Sequence, residues 1–377
     1  MKRNLLEAIA TLVGTTIGAG ILGLPYVIQK AGFLTGLIVI FVIGIAILFT
    51  NLAMGEIALR TPGNHQITGY ASIYHGRAGK LIATFVMIFG IYGALTAYLI
   101  GEGKTLSHLF GGNEFLFSLL FFAIASLIVL FGINSVKKSE LILSAISVAL
   151  VLLIIILSFS SVEIKNINHF EINSLLIPFG AVFFAFLAIP SIPEMKEELI
   201  KNKALLKKAI IIGSLIPFIV YIFFSLVIIG VTGNNTTEIA TIGLNSIINN
   251  KFLFYMASIF PIFAMSTAFL TLALALKEMY VYDFGLNKIF SWFLTCSVPL
   301  LLILLGVNDF IKIISIVGSI VAGIDGILVT SMWIKAKKEG KRKPEYSINI
   351  NKAMIFLIIV VFIFAIIKVL LDTLITI

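Results

Sequence analysis

The chain is a train of apolar stretches, each about as long as a bilayer is thick. A membrane span needs about 20 mostly apolar residues, ~30 Å at 1.5 Å per residue. Eleven such stretches run near 6–28, 35–59, 81–108, 115–134, 139–159, 174–195, 205–232, 253–281, 287–305, 310–334 and 352–374. Of the 377 residues, 60% are hydrophobic and 12% charged, against about half and a quarter in soluble domains. No water-soluble fold buries that much apolar surface, because part of any fold faces water. The stretches lack the alternation of barrel strands. They predict an all-α integral membrane bundle.

The net charge of +9 is read as orientation in the membrane and not as a nucleic-acid surface. With the N-terminus inside, twenty-one of the 27 basic residues fall in inner loops, and Lys30, Lys104, Lys165, Lys251, Lys312 and Lys368 remain for the other side. Positive residues stay cytoplasmic, so the chain is expected to be multi-pass in the cell membrane, N-terminus in and C-terminus out. Cys296 is the only cysteine, which excludes an intramolecular disulfide. The segment after Met1-Lys2-Arg3 is too long and glycine-rich for a signal peptide and reads as a retained first span. Lys335 to Asn351 is a basic linker. It divides a ten-helix core, 1–334, from an extra transmembrane helix, 352–377. The odd five-span offset makes 6–159 and 174–334 candidate repeats of opposite topology.

Two spans are poor continuous helices. The first carries Gly14-Thr-Thr-Ile-Gly-Ala-Gly-Ile-Leu-Gly-Leu-Pro25; the sixth runs from Gly180 through Phe186 to Pro190-Ser-Ile-Pro193. Glycine and proline at this density interrupt helices. Unwound backbone in hydrocarbon is tolerated only where it lines a cavity or finds other partners, and matched interruptions in inverted repeats point to a transporter's binding site. A half-helix N-terminus suits a carboxylate. A half-helix C-terminus offers carbonyls to an ammonium or a sodium ion. The competing reading is close helix packing by small residues.

The first-span run resembles the first-helix signature of the amino acid–polyamine–organocation superfamily. It looks most like the branch of amino acid/auxin permeases and aromatic and hydroxy amino acid permeases. Pro62-Gly-Asn-His-Gln-Ile-Thr-Gly-Tyr70, Phe183 to Met195 and Ser266 to Lys277 add to the resemblance. It implies a leucine-transporter-type fold: inverted five-helix repeats, broken helices 1 and 6, and alternating access around a central amino acid. By position, the resemblance puts the substrate carboxylate on amides near Ala19 and Gly20. The ammonium falls to carbonyls near Thr16 and of Phe183, Ala185 or Phe186, with Thr15 and Gly18 beside them. Tyr92 or Tyr98 closes the pocket. A possible sodium ion takes the carbonyls of Gly14 and Ile17 and the hydroxyls of Ser266 and Thr267. Some proton-coupled relatives have a lysine mid-way along the fifth span; here Leu141 to Phe159 has none, and Lys137 and Lys138 stand at its end.

Asp325 is the rival coupling group. It lies about 15 residues into the tenth span, ~22 Å deep, where a carboxylate is costly and functional by default. Glu7, Glu56 and Glu194 read as interfacial, and Glu102 with Lys104 as a solvated pair. No His-Glu-x-x-His, phosphate loop or metal cluster is present in the sequence, so neither an enzyme nor an enzymatic cofactor is expected. A membrane amino acid sensor using the same site is the alternative of another class; it needs a signalling extension that the short N-terminus and bare C-terminus do not offer. With few charges near the breaks, the expected substrate is a neutral, apolar amino acid such as Leu, Ile, Val, Phe or Ala. The expected driving ion is sodium, with protons as the alternative.

Overall fold

Every apolar stretch becomes helix. The computed structural model describes residues 2–131, 136–248, 250–282 and 284–375. The helices are α1 (Lys2–Thr16), α2 (Gly20–Ala31), α3 (Phe33–Arg60), α4 (Ile67–Phe110), α5 (Glu114–Phe131), α6 (Val136–Ser158), α7 (Phe179–Phe186), α8 (Ser191–Glu198), α9 (Leu206–Thr232), α10 (Ala240–Ile247), α11 (Lys251–Tyr282), α12 (Lys288–Leu304), α13 (Phe310–Glu339) and α14 (Lys352–Ile375). Among the described residues eight helices are long and apolar enough to cross a bilayer, and α1 with α2 makes a ninth. The fifth expected span is α6, and the ninth is the shorter α12. The side chains of Lys137 and Lys138 lie outside the described residues.

The first span bends by 53° between α1 and α2. The sixth is interrupted at residues 187–190 between α7 and α8. Pro25 lies inside α2, beyond the bend; Pro190 caps the N-terminus of α8. Each pair is one discontinuous helix opening a five-helix unit, and α14 is the eleventh span. The 60–80 connection is partly helical: Ile67 starts α4, which turns sharply at Gly76, φ +62°, before entering the membrane. That left-handed conformation is nearly free for glycine only.

Glycines set the closest approaches. A Cβ on Gly318 of α13 would lie 2.0 Å from the carbonyl oxygen of Gly180 in α7, so these helices touch backbone to backbone, as small residues allow in membranes. A Cβ on Gly326 would meet the Phe362 ring at 2.4 Å, which seats α14 against α13. Phe183 and Phe179 of α7 then pack on Phe362 and Phe364, at 5.6 and 5.8 Å between centroids. Phe183 is therefore a packing residue, its ring turned to α14 and not to a pocket.

The segment between α13 and α14 is not a free linker. Tyr346 Oη donates to the Leu52 carbonyl at 2.7 Å, and Arg342 to that of Leu59 at 2.7 Å. Glu56 is fully buried and accepts from Arg60, Trp333 Nε1, Ser347 Oγ and the Ile348 amide at 2.7–2.9 Å. The interfacial reading of Glu56 is thereby corrected. A carboxylate inside protein needs a full set of donors, and this one gathers them by drawing the segment along α3.

Candidate substrate and ion site

The two interruptions meet. At the end of α1 the Gly18 amide bonds to the Thr16 carbonyl at 2.9 Å and leaves Gly14 O without it. The Gly20 and Ile21 amides that open α2 have no intrahelical acceptor, as at any helix start, while the Leu22 amide bonds to the Ala19 carbonyl at 3.0 Å. At the other interruption α7 ends on its carbonyls and α8 begins with Ser191 Oγ and N–H on the Ala188 carbonyl, at 2.7 and 3.1 Å. Positive and negative helix ends are thus displayed together, with no charged side chain at either break.

Tyr221 of α9 joins them. Its hydroxyl lies 2.6 Å from the Thr16 carbonyl and 2.7 Å from that of Ala185, fully buried. One phenol proton serves one carbonyl at a time. Both carbonyls were expected to hold an ammonium; here they hold a side chain. The Phe186 ring stands edge-on to Tyr221, 4.9 Å between centroids, and buried Tyr98 lies within electrostatic reach of it. Sequence reasoning missed Tyr221. The available signal was a single tyrosine in an apolar span, whose hydroxyl must find a partner when buried.

The glycines of the break have different roles. A Cβ on Gly20 would lie 2.6 Å from Ala185 Cα, whereas one on Gly18 meets nothing within 4 Å. Gly20 therefore lets α2 close on α7, and the open space lies beside Gly18. A bulky residue at Gly20 would break this packing whether or not a carboxylate binds there. Thr15 and Thr16 hydroxyls donate to Thr11 and Leu12 carbonyls of their own helix, both at 2.7 Å. Ile17 and Ala19 are buried.

Other expected residues are placed elsewhere. Tyr92 bonds to Tyr280 Oη at 2.8 Å and to the Leu294 carbonyl at 3.0 Å, toward α11 and α12. Thr267 Oγ1 donates to the Phe263 carbonyl at 2.7 Å. Ser266 Oγ donates to Glu102 Oε1 at 2.8 Å. Neither hydroxyl is given to the first-span break. Glu102 and Lys104 are not a solvated pair: Glu102 is fully buried, and Lys104 bonds to Glu238 at 2.5 Å. Asp325 is 6% exposed with no hydrogen bond among the described residues. It continues the face on which Val321 of α13 approaches Gly90 of α4. Among the described residues no cluster of His, Cys, Asp or Glu is suited to a metal.

Two five-helix units, each opened by a discontinuous helix, define a leucine-transporter-type fold. The architecture matches the crystal structure of MhsT in complex with L-phenylalanine, with a TM-score of 0.67 over 98% of each chain at 16% identity. Residues 1–369 match the tryptophan/tyrosine permease family, and the chain belongs to it. It is a multi-pass membrane transporter and not an enzyme. Its relatives include "Glutamine transporter 2" of Aliivibrio fischeri, 23% identical over 94% of each chain. "Tyrosine-specific transport system 1" of Haemophilus influenzae is 27% identical over 88% of each. "Tryptophan-specific transport protein" of Shigella flexneri is 21% identical, covering 95% of this chain and 92% of that one.

Proposed function

We propose that the chain takes up a neutral amino acid with an apolar or aromatic side chain by alternating access, driven by protons. The observation that carries this reading is the convergence of the two breaks. Amide ends and carbonyl ends meet in one place without charged side chains, which fits a zwitterion and offers no counter-charge to a charged substrate side chain. The amides near Ala19 and Gly20 take the carboxylate, and Thr16 and Ala185 carbonyls take the ammonium as Tyr221 withdraws. The side chain lies in the space beside Gly18, with Phe186 and Tyr98 as its aromatic wall. The names of relatives that carry tyrosine, tryptophan and glutamine, and the phenylalanine held by the structural neighbour, support a neutral substrate. The basic end of the bundle, with residues 335–351, faces the cytoplasm.

Protons are preferred to sodium because the hydroxyls of Ser266 and Thr267 are engaged elsewhere, while Asp325 is a buried carboxyl with no hydrogen bond among the described residues. A lone buried carboxylate is costly, so such a group favours carrying a proton. The sodium reading keeps in its favour the Gly14 carbonyl, which lacks its helical donor at the first break. Uptake of radiolabelled L-phenylalanine, L-tyrosine and L-tryptophan into proteoliposomes tests both. Proton coupling predicts that uptake persists when choline replaces sodium, follows an inward proton gradient, and is lost in Asp325→Asn. Uptake that stops in choline, and is unaffected by Asp325→Asn, would restore the sodium cage.

A further inference from the structure

A second buried carboxyl lies away from the breaks, on the seam between α4 and α11. Glu102 is 0% exposed; Ser266 Oγ donates to its Oε1 at 2.8 Å, and Oε2 has no partner among the described residues. We propose that Glu102 is a proton-binding site, loaded from the outer side, whose protonation permits the α4–α11 seam to close. The proposal rests on the proton-coupled reading above.

The first argument is the cost of charge. A carboxylate in hydrocarbon-like surroundings needs a cation or several donors. Glu56, in the same bundle, has four; Glu102 has one hydroxyl. The titratable groups on the elements around it do not supply a charge partner. On α4, Lys104 is held by Glu238, and His108 lies on the Phe254 ring. Glu114 begins α5. On α11, Lys251 and Tyr255 stand toward one end, while Lys277 bonds to the Val129 and Leu130 carbonyls toward the other. Cys296 of α12 is buried. On α13, Asp309 caps the Lys312 amide and Asp325 lies farther along the helix. Among the described residues none bonds to Glu102. The carboxyl therefore fits this closed seam as the neutral acid. It takes one proton from outer water to become that acid and gives it up to inner water when the carrier has opened inward, so one proton crosses with each turnover.

The second argument is mechanical contact with the substrate helix. The Phe310 ring is fully buried between α2 and α4. A Cβ on Gly23 would lie 3.4 Å from one edge of that ring, and a Cβ on Gly101 3.4 Å from the other. Gly101 precedes Glu102, and Gly23 follows the first break by one turn of α2. A shift of α4 that admits water to Glu102 moves the wall on which α2 rests.

The test is reconstituted full-length protein. The same three labelled aromatic amino acids are followed in exchange, with equal substrate on both sides, and in accumulation under an inward proton gradient. In Glu102→Gln the ratio of gradient-driven accumulation to exchange falls about ten-fold or more, and the external alkalinisation that accompanies uptake is lost. In Ser266→Ala the pH profile of uptake moves to higher pH, because the hydroxyl that steadies the charged carboxylate is gone; this second variant decides if Glu102→Gln does not fold. Glu102→Gln that accumulates as the wild type does, or an unmoved Ser266→Ala profile where Glu102→Gln does not fold, overturns the site. A wild type that exchanges substrate but ignores the proton gradient overturns the proton-coupled reading and the site with it.

Discussion

At the scale of single residues, Tyr221 has the most consequential position. It ties two interrupted helices that belong to different repeats, and the tie is made to backbone, which no side-chain substitution at Thr16 or Ala185 can remove. Its hydroxyl takes a place that an ammonium could fill with more donors, so binding and release exchange one donor for another. Tyr221→Phe removes the hydroxyl donor shared by the buried Ala185 and Thr16 carbonyls and leaves Thr16 only the Gly18 amide. The expected cost is about 1–3 kcal/mol, read as a lower unfolding temperature of the detergent-solubilised protein, with weaker holding of the breaks in register and slower uptake. An unchanged unfolding temperature would mean that water already serves these carbonyls. Among the glycines the division of labour is equally local. Gly20 is needed for contact and Gly18 for space, a difference set entirely by what stands opposite each.

At the scale of elements, the segment 340–351 acts as a strap. It leaves α13, runs along the end of α3 and enters α14, fastened by Glu56, Leu52 and Leu59. Glu56 and Arg60 form an ion pair in which the carboxylate is fully buried. Breaking such a pair costs ~3–5 kcal/mol because a buried partner is left behind. Glu56→Ala should therefore release the strap before it unfolds the bundle. Limited trypsin digestion is the measurement. Cleavage after Lys341 and Arg342 should accelerate about ten-fold or more, with α13 and α14 fragments surviving. Equal cleavage rates would show that Tyr346 and Arg342 hold the strap without it. α14 itself is more than an appended anchor, since Phe362 and Phe364 form part of the packing of α7.

At the scale of the whole molecule, charge asymmetry sets orientation. The basic residues crowd one end of the bundle, and positive loops remain on the cytoplasmic side. In a Cys296→Ser background, Lys343→Cys should react with a membrane-impermeant maleimide only after cells are opened. A cysteine added after Ile377 should react in intact cells. Labelling of both from outside, or of neither, would mean that the number of crossings is other than eleven.

What the sequence determined alone follows from hydropathy and backbone chemistry. Apolar length located every long span though not the short α10, Gly14 to Pro25 and Gly180 to Pro193 marked both interruptions, and the absence of charge there pointed to a neutral ligand. The tertiary structure decided which side chains face which. In a soluble helix an apolar stripe reveals the buried face. In a membrane, lipid and protein interior are equally apolar, so that signal disappears and the rotation of each helix about its axis is not legible. Ser266 could be placed at the right depth but not aimed; it turned to Glu102. Tyr92 and Tyr98 looked alike until α11 and α12 claimed Tyr92. Tyr221, Glu56 and Glu102 take their meaning from partners that packing alone brought within reach.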